Sequence, residues 1–196
     1  SIMSIPMISG YSYEIYIEMA GLWALPICAS IVGFVDDWTK YKYSSSEGFR
    51  SAYKLLAQIV FVLPWCLWIA FSRGVSIWPG MEVSPIAAVP ILLLVTVGIL
   101  NAVNVTDGLD GLAAGLCSIS MATILFWLSL DDEIFLASIT GLCICLGFLW
   151  YNTNPALIFM GDVGSHFLGG MLVSFCVYSD YLIAIIPVCF MFGIEI

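Results

Sequence analysis

Three short stretches of this sequence carry acidic side chains in spacings that suit metal and phosphate chemistry. The first is Gly33-Phe34-Val35-Asp36-Asp37-Trp38-Thr39-Lys40. Adjacent carboxylates repel and raise one another's proton affinity unless a cation joins them, so the pair suits a metal ion, a proton acceptor for a phosphate, or both. Two solvated loop acids are the plain alternative. The second stretch runs from Asn101 to Gly115 and contains Asn104, Asp107 and Asp110. Read as helix, the spacing puts both carboxylates on one face with Asn104 one turn before them. Gly108, Gly111 and Gly115 allow close approach of a neighbouring helix or a phosphate, and packing alone accounts for them. It does not account for Asn-x-x-Asp-x-x-Asp. The third stretch, Asn152 to Ser165, holds Pro155, Phe159, Gly161, Asp162 and Gly164. Asp162 offers a hard oxygen to Mg²⁺. Phe159 can present a flat face to a base and Asn152 a polar edge, with core packing the plain alternative for the ring.

The donor set is rich in oxygen. One histidine and seven cysteines scattered through apolar runs do not make a tetrahedral zinc site, so Mg²⁺ is the expected cofactor. His166 reads as a packed side chain and the cysteines as small apolar ones. No phosphate-cradling G-x-x-x-x-G-K-[ST] loop is present, and no basic stripe suggests a nucleic-acid partner.

The elements that must carry these motifs are membrane helices. Apolar residues make up 62% of the chain and charged residues only 10%, and the mean hydropathy is +1.06, far from the balance of soluble domains. Seven apolar runs can be read, at about 15–35, 55–72, 84–103, 112–130, 134–151, 163–178 and 181–196, the sixth short and bearing glycine. None alternates as a membrane strand would, which predicts an all-α, polytopic transmembrane helix bundle embedded in a lipid bilayer. Lys40, Lys42, Arg50 and Lys54 share the loop 36–54, which places that loop in the cytoplasm. Alternate crossings then put 104–111 and 152–166 on the same face. Asp131, Asp132, Glu133 and Asp180 fall on the other face as ordinary loop acids.

Together GFVDDWTK, EGF with the following KLLAQ, NAVNVTDGLDGLAAG and GFLWYNTNPALIFMGDVGSHFLGG resemble the polyprenyl-phosphate N-acetylhexosamine-1-phosphate transferase superfamily, most closely its phospho-N-acetylmuramoyl-pentapeptide transferase branch. The resemblance covers most of residues 30–196. It implies transfer of phospho-MurNAc-pentapeptide from UDP-MurNAc-pentapeptide to undecaprenyl phosphate, forming lipid I and UMP at the cytoplasmic face of a bacterial inner membrane. It further implies Mg²⁺ on Asp162, catalytic roles for Asp36, Asp37, Asp107, Asp110 and Lys40, and substrate contacts from Asn104, Asn152, Phe159, Gly161, Ser165 and Lys54. A homodimer is the usual assembly in the family.

Two departures stand out. The family's N-terminal spans and its histidine-rich loop lack counterparts here, so residues 1–196 are expected to be part of a single integral membrane domain, inactive alone. His166 stands where the family often has an apolar residue. A sibling transferring GlcNAc-1-phosphate is the nearest alternative. A cation or proton transporter is a more distant one, since its acids would lie at mid-span rather than at span ends.

Overall fold

The computed structural model describes residues 5–43, 50–128 and 132–194. The EGF segment, Asp131 and Glu195 lie outside them, as does the side chain of Asp132. The described residues form seven α-helices and one small hairpin: α1 (Ile5–Tyr43), α2 (Ser51–Trp68), β1 (Val75–Trp78), β2 (Met81–Val83), α3 (Pro85–Thr106), α4 (Leu112–Thr123), α5 (Asp132–Asn152), α6 (Gly161–Tyr178) and α7 (Ile185–Ile194). π-Helical turns extend α2 to Arg73 and α4 to Leu128. The all-α bundle expected from hydropathy is what forms.

Among the described residues, four stretches are long and apolar enough to cross a membrane: Ile15–Tyr43, Ser51–Arg73, Pro85–Thr106 and Glu133–Asn152. Together they make this a multi-pass membrane protein. The fourth and seventh expected spans are shorter apolar helices, Leu112–Leu128 and Leu182–Phe192. Two sequence expectations change. Helix α1 does not end near residue 35 but continues to Tyr43, so Asp36, Asp37 and Lys40 ride on one rigid helix instead of a loop. The connection between α2 and α3 is an antiparallel hairpin, Val75 pairing with Val83, with the turn made at Gly80 (φ 84°).

Helix α6 explains the bundle. From Leu168 to Tyr178 every residue is buried, because α1 and α3 pack along its length. A helix enclosed by protein does not need side chains that suit lipid. It needs small ones that let neighbours approach. A methyl group on Gly33 would run into the backbone carbonyl of Asp162, and one on Gly170 would lie 2.8 Å from Pro26 Cα. A methyl group on Gly169 would lie 3.2 Å from Leu100 Cα of α3. Polar ties reinforce these contacts: Ser174 Oγ donates to the Leu22 carbonyl at 2.6 Å, and Trp65 Nε1 to the Gly21 carbonyl at 2.9 Å. The outward faces present large apolar groups such as Leu94, Ile119 and Phe126, as lipid requires.

At the end of α6 remote from Asp162, Arg73 gathers the helices. It donates to the carbonyls of Val177 (3.2 Å) and Tyr178 (3.0 Å), pairs with Asp180 (3.0 Å) and Glu18 (3.4 Å), and lies 4.6 Å from the Tyr178 ring centroid. Those carbonyls belong to the last turn of α6, where a cation also meets the negative end of the helix dipole.

The approach at Gly33 is testable. Gly33→Ala is expected to cost about 1–3 kcal/mol as an overpacking change, whereas Gly98→Ala, with open space around it, should be neutral or slightly stabilising. Thermal unfolding of both variants in detergent micelles measures the difference, and equal midpoints would show that the α1–α6 contact yields freely.

Candidate active site

Where α1, α2, α3 and α6 meet at one end of the bundle, three carboxylates and two ammonium groups form a single cluster. Lys40 Nζ reaches Asp36 Oδ2 at 2.8 Å, Asp162 Oδ2 at 2.9 Å and Asp37 Oδ1 at 3.4 Å. The first and last of these contacts follow from helical spacing, i to i+4 and i to i+3 along α1. Lys54, from the first turn of α2, donates to Asp162 Oδ2 at 2.7 Å and to Asn104 Oδ1 at 3.0 Å, and lies 3.9 Å from Asp36 Oδ2. Asn104, in the last turn of α3, donates to Asp162 Oδ1 (2.8 Å) and Ser165 Oγ (2.9 Å). Asp162 is thus held from three other helices at once.

Gly161 opens α6 with φ 63°, a conformation that suits glycine, and its missing side chain leaves room for Asp37 Oδ2. That oxygen accepts the backbone N–H of Val163 at 3.1 Å. Asp37 therefore serves as an N-cap for α6 supplied from another helix, favoured by the positive end of the dipole. One oxygen from each of Asp36, Asp37 and Asp162 lies within 4.8 Å of the others. Opposite oxygens around an octahedral divalent ion at about 2.1 Å are about 4.2 Å apart, so small rotations of these side chains suffice to hold such an ion, and the hard-oxygen donor set fits it.

The second motif behaves differently from its helical reading. Helix α3 ends at Thr106, and the chain turns through 107–111 before Gly111, at φ 75°, starts α4. The expected i, i+3 face for Asp107 and Asp110 therefore does not form. Gly108 between them and Gly111 just after them favour a turn over a helix. Asp107 is left half-buried near Asp162 and Asp37. Burial first, then the charges of Asp162 and Asp37, push its carboxyl up to about 7. Asp162 lies at the mouth of α6. Burial opposes its charge, but its contacts with Asp36, Lys54, Asn104 and Lys40 outweigh this and hold it well below the usual carboxylate range.

Asp110 turns toward the third motif. Its Oδ2 accepts from Asn154 Nδ2 and from the Ala156 N–H, both at 3.1 Å. Asn152 is buried and spends both ends of its amide, accepting the Gly111 N–H at 3.0 Å and donating to the Ile158 carbonyl at 2.8 Å. These two residues join the loop after α3 to the loop before α6. They stand behind the cluster, not in it. Phe159 is 74% exposed on the rim, its ring open to a ligand.

The structure thus gathers Asp36, Asp37, Lys40, Lys54, Asn104, Gly161, Asp162 and Ser165. It sets Asp107 beside them, and puts Asp110, Asn152 and Phe159 in the flanking loops. Gln58, Asn101 and His166 form a polar layer below the cluster that the motifs did not reveal. The available signal was the polar side chain of Gln58 one turn beyond Lys54, and that of Asn101 one turn before Asn104, each inside an apolar run.

The sequence matches the family model for glycosyl transferase family 4 over residues 19–180. It is 34% identical over 189 residues to a phospho-N-acetylmuramoyl-pentapeptide-transferase of Trichormus variabilis, covering 91% of this chain and 51% of that protein. Against proteins of the same name, identity is 35% over 197 residues for Synechococcus sp. (92% and 57% covered) and 41% over 156 residues for Rubrobacter xylanophilus (72% and 47% covered). The chain spans about half the length of these curated relatives.

The position of Asp107 yields a pH-dependent prediction. The folded state binds its proton more tightly than the unfolded chain does, so stability falls as pH rises from about 4 through about 7. Asp107→Asn removes that loss. In chelator, the variant should unfold about 2–4 °C above the parent at pH 8, the shift that about 1 kcal/mol gives a chain of this length, and at the same temperature as the parent near pH 4. A constant difference across that range would show that the carboxylate carries no penalty.

Proposed function

This chain belongs to glycosyl transferase family 4, and from that premise we propose that the protein transfers phospho-MurNAc-pentapeptide from UDP-MurNAc-pentapeptide to undecaprenyl phosphate, releasing UMP and forming lipid I. The observation that carries the reading is the cluster of Asp36, Asp37 and Asp162 with Lys40 and Lys54 at one end of a membrane bundle. There, a water-soluble nucleotide and a lipid-borne phosphate can both arrive. The names of the relatives give the transferred group, phospho-N-acetylmuramoyl-pentapeptide, and the UDP carrier and the undecaprenyl phosphate acceptor are what the family resemblance implies. Lys40, Lys42, Arg50 and Lys54 at the joined ends of α1 and α2 support a cytoplasmic orientation for this end, in a bacterial inner membrane on this reading.

An oxygen of the acceptor phosphate forms a bond to the sugar-linked phosphorus as the bond from that phosphorus to UMP breaks. The chief obstacle is bringing two anions together, and positioning with charge neutralisation overcomes it. Mg²⁺ on Asp162, with Asp36 and Asp37 close by, would supply Lewis-acid neutralisation of the diphosphate. Lys40 and Lys54 offer ammonium groups to the phosphates. Asp36 or Asp37 takes any proton remaining on the acceptor, and Asn104 and Ser165 hold Asp162 in its orientation. Asp110 and Asn152 keep the loop before α6 in place, so that Phe159 faces the uracil ring and Gly161 leaves room at the helix mouth. Asp107, kept short of full ionisation by its neighbours, completes the charge balance when a cation joins the site. The chain forms part of a single membrane domain that assembles as a homodimer.

UMP release by the protein as its cell makes it, with any chain before Ser1 and after Ile196, tests the reading. Release should require Mg²⁺ and fall about 10²–10³-fold in Asp162→Asn, the usual loss when one charge-stabilising group is removed. Release with UDP-GlcNAc but not UDP-MurNAc-pentapeptide would assign the donor to the sibling branch. Release with neither would end the transferase reading.

A further inference from the structure

One helical turn below the cluster lies a second polar layer, built from the same three helices. On α2 it uses Gln58, four residues after Lys54. On α3 it uses Asn101, three before Asn104. On α6 it uses His166, four after Asp162. Gln58 and His166 are fully buried. Asn101 Nδ2 donates to Gln58 Oε1 at 2.9 Å, while Gln58 Nε2 faces Asn101 Oδ1 at 3.3 Å and His166 Nε2 at 2.9 Å. Asn101 Nδ2 also donates to the Val97 carbonyl at 2.8 Å.

Each hydrogen in this layer is determined by the next. The Val97 carbonyl only accepts, so it fixes which end of the Asn101 amide is NH₂. That amide fixes the orientation of Gln58, whose second N–H must then point at His166 Nε2. His166 is therefore the neutral tautomer that accepts at Nε2 and carries its proton on Nδ1. Apolar side chains of matching size would fill this space with no hydrogen bonds to satisfy, so stability alone does not call for the layer. Its arrangement instead admits one rotation and one register of α2 against α3 and α6, as a single buried polar group does in a helical seam.

We propose that Gln58 and Asn101, closed by His166, are positioning residues that hold Lys54 and Asn104 against Asp162. The geometry directly above fits. Lys54 Nζ meets Asp162 at 2.7 Å and Asn104 at 3.0 Å only if α2 and α3 present these side chains to α6 at the same height. As a role in transfer, the proposal rests on the function proposed above. As a role in placing Lys54, it stands apart from it.

The test follows the reactivity of Lys54 toward an amine-acylating reagent, with exposed Lys42 as the internal reference, read by peptide mass spectrometry. In Gln58→Leu and in Asn101→Leu the Lys54 to Lys42 labelling ratio should rise at least fivefold and the turnover number should fall at least tenfold; each single change also strands a buried polar partner and lowers the unfolding midpoint. The triple variant Gln58→Leu/Asn101→Leu/His166→Leu, which strands none of the three, should keep the raised ratio with a midpoint equal to the parent's or higher. An unchanged ratio in the single variants overturns the proposal, and so does a ratio that returns to the parent's value in the triple variant, which marks a merely structural role. If either single variant fails to fold, His166→Leu, which removes the bond to Gln58 and leaves the Gln58–Asn101 pair in place, carries the same test with a twofold rise as its threshold. Absence of UMP release from the unaltered protein would remove the proposed function and leave the labelling result to decide this proposal independently.

Discussion

The structure depends on a charged helix terminus being brought inside a membrane bundle. Asp162 lies in the first turn of α6, and its two carboxylate oxygens are claimed by Lys40 from α1, Lys54 from α2 and Asn104 from α3. A buried carboxylate is tolerated only when its partners satisfy it fully. Each partner must therefore stand at a fixed height and rotation on its own helix. That requirement explains the glycines along the α1–α6 contact, the cap that Asp37 gives to Val163, and the extension of α1 beyond the length needed to cross lipid. Arg73 anchors the far end of α6, so the helix is fixed at both termini and its middle needs only to be small and apolar.

Much of this was legible in the sequence because it obeys local rules. Hydropathy gives the helices, and acids at span ends give the site. The convergence of Asp36, Asp37 and Asp162 follows from counting crossings. Lys40 and Lys54 were legible through the resemblance. The turn at 107–111 was misread because Asn-x-x-Asp-x-x-Asp fits a helical face. The sequence alone did not reveal that Gly108 and Gly111 would end the helix there. The sixth run, read at 163–178, matches α6 at Gly161–Tyr178 to within two residues, and it is short for a physical reason. Hydropathy reports suitability for lipid, and a helix sheathed by protein escapes that demand.

The loops flanking the cluster show how position in a motif can mislead about role. Asp110 and Asn152 lie in the same stretches as Asp107 and Asp162, yet their polar atoms are spent on backbone N–H and C=O groups of the neighbouring loops. Unpaired backbone groups near lipid are costly, so a bundle that carries its chemistry on loops must provide side chains to satisfy them. Asp110 and Asn152 provide that, and Phe159 remains exposed at the rim because those loops are held.

The charge count at the cluster supports the proposed site over a scaffold. Asp36, Asp37 and Asp162 bring three negative charges against two positive ones from Lys40 and Lys54, with Asp107 near enough for its proton affinity to rise. At an effective dielectric of about 20, unit charges about 4 Å apart interact by about 4 kcal/mol, so an unbalanced carboxylate here is a standing cost. A purely structural junction would drop an acid or gain a lysine. Retaining the excess makes sense where a further cation arrives with the ligand: the same imbalance that weakens the empty fold then becomes the attraction that fills the site. On the proposed reading, the cation that comes with the substrate completes the electrostatics of the bundle.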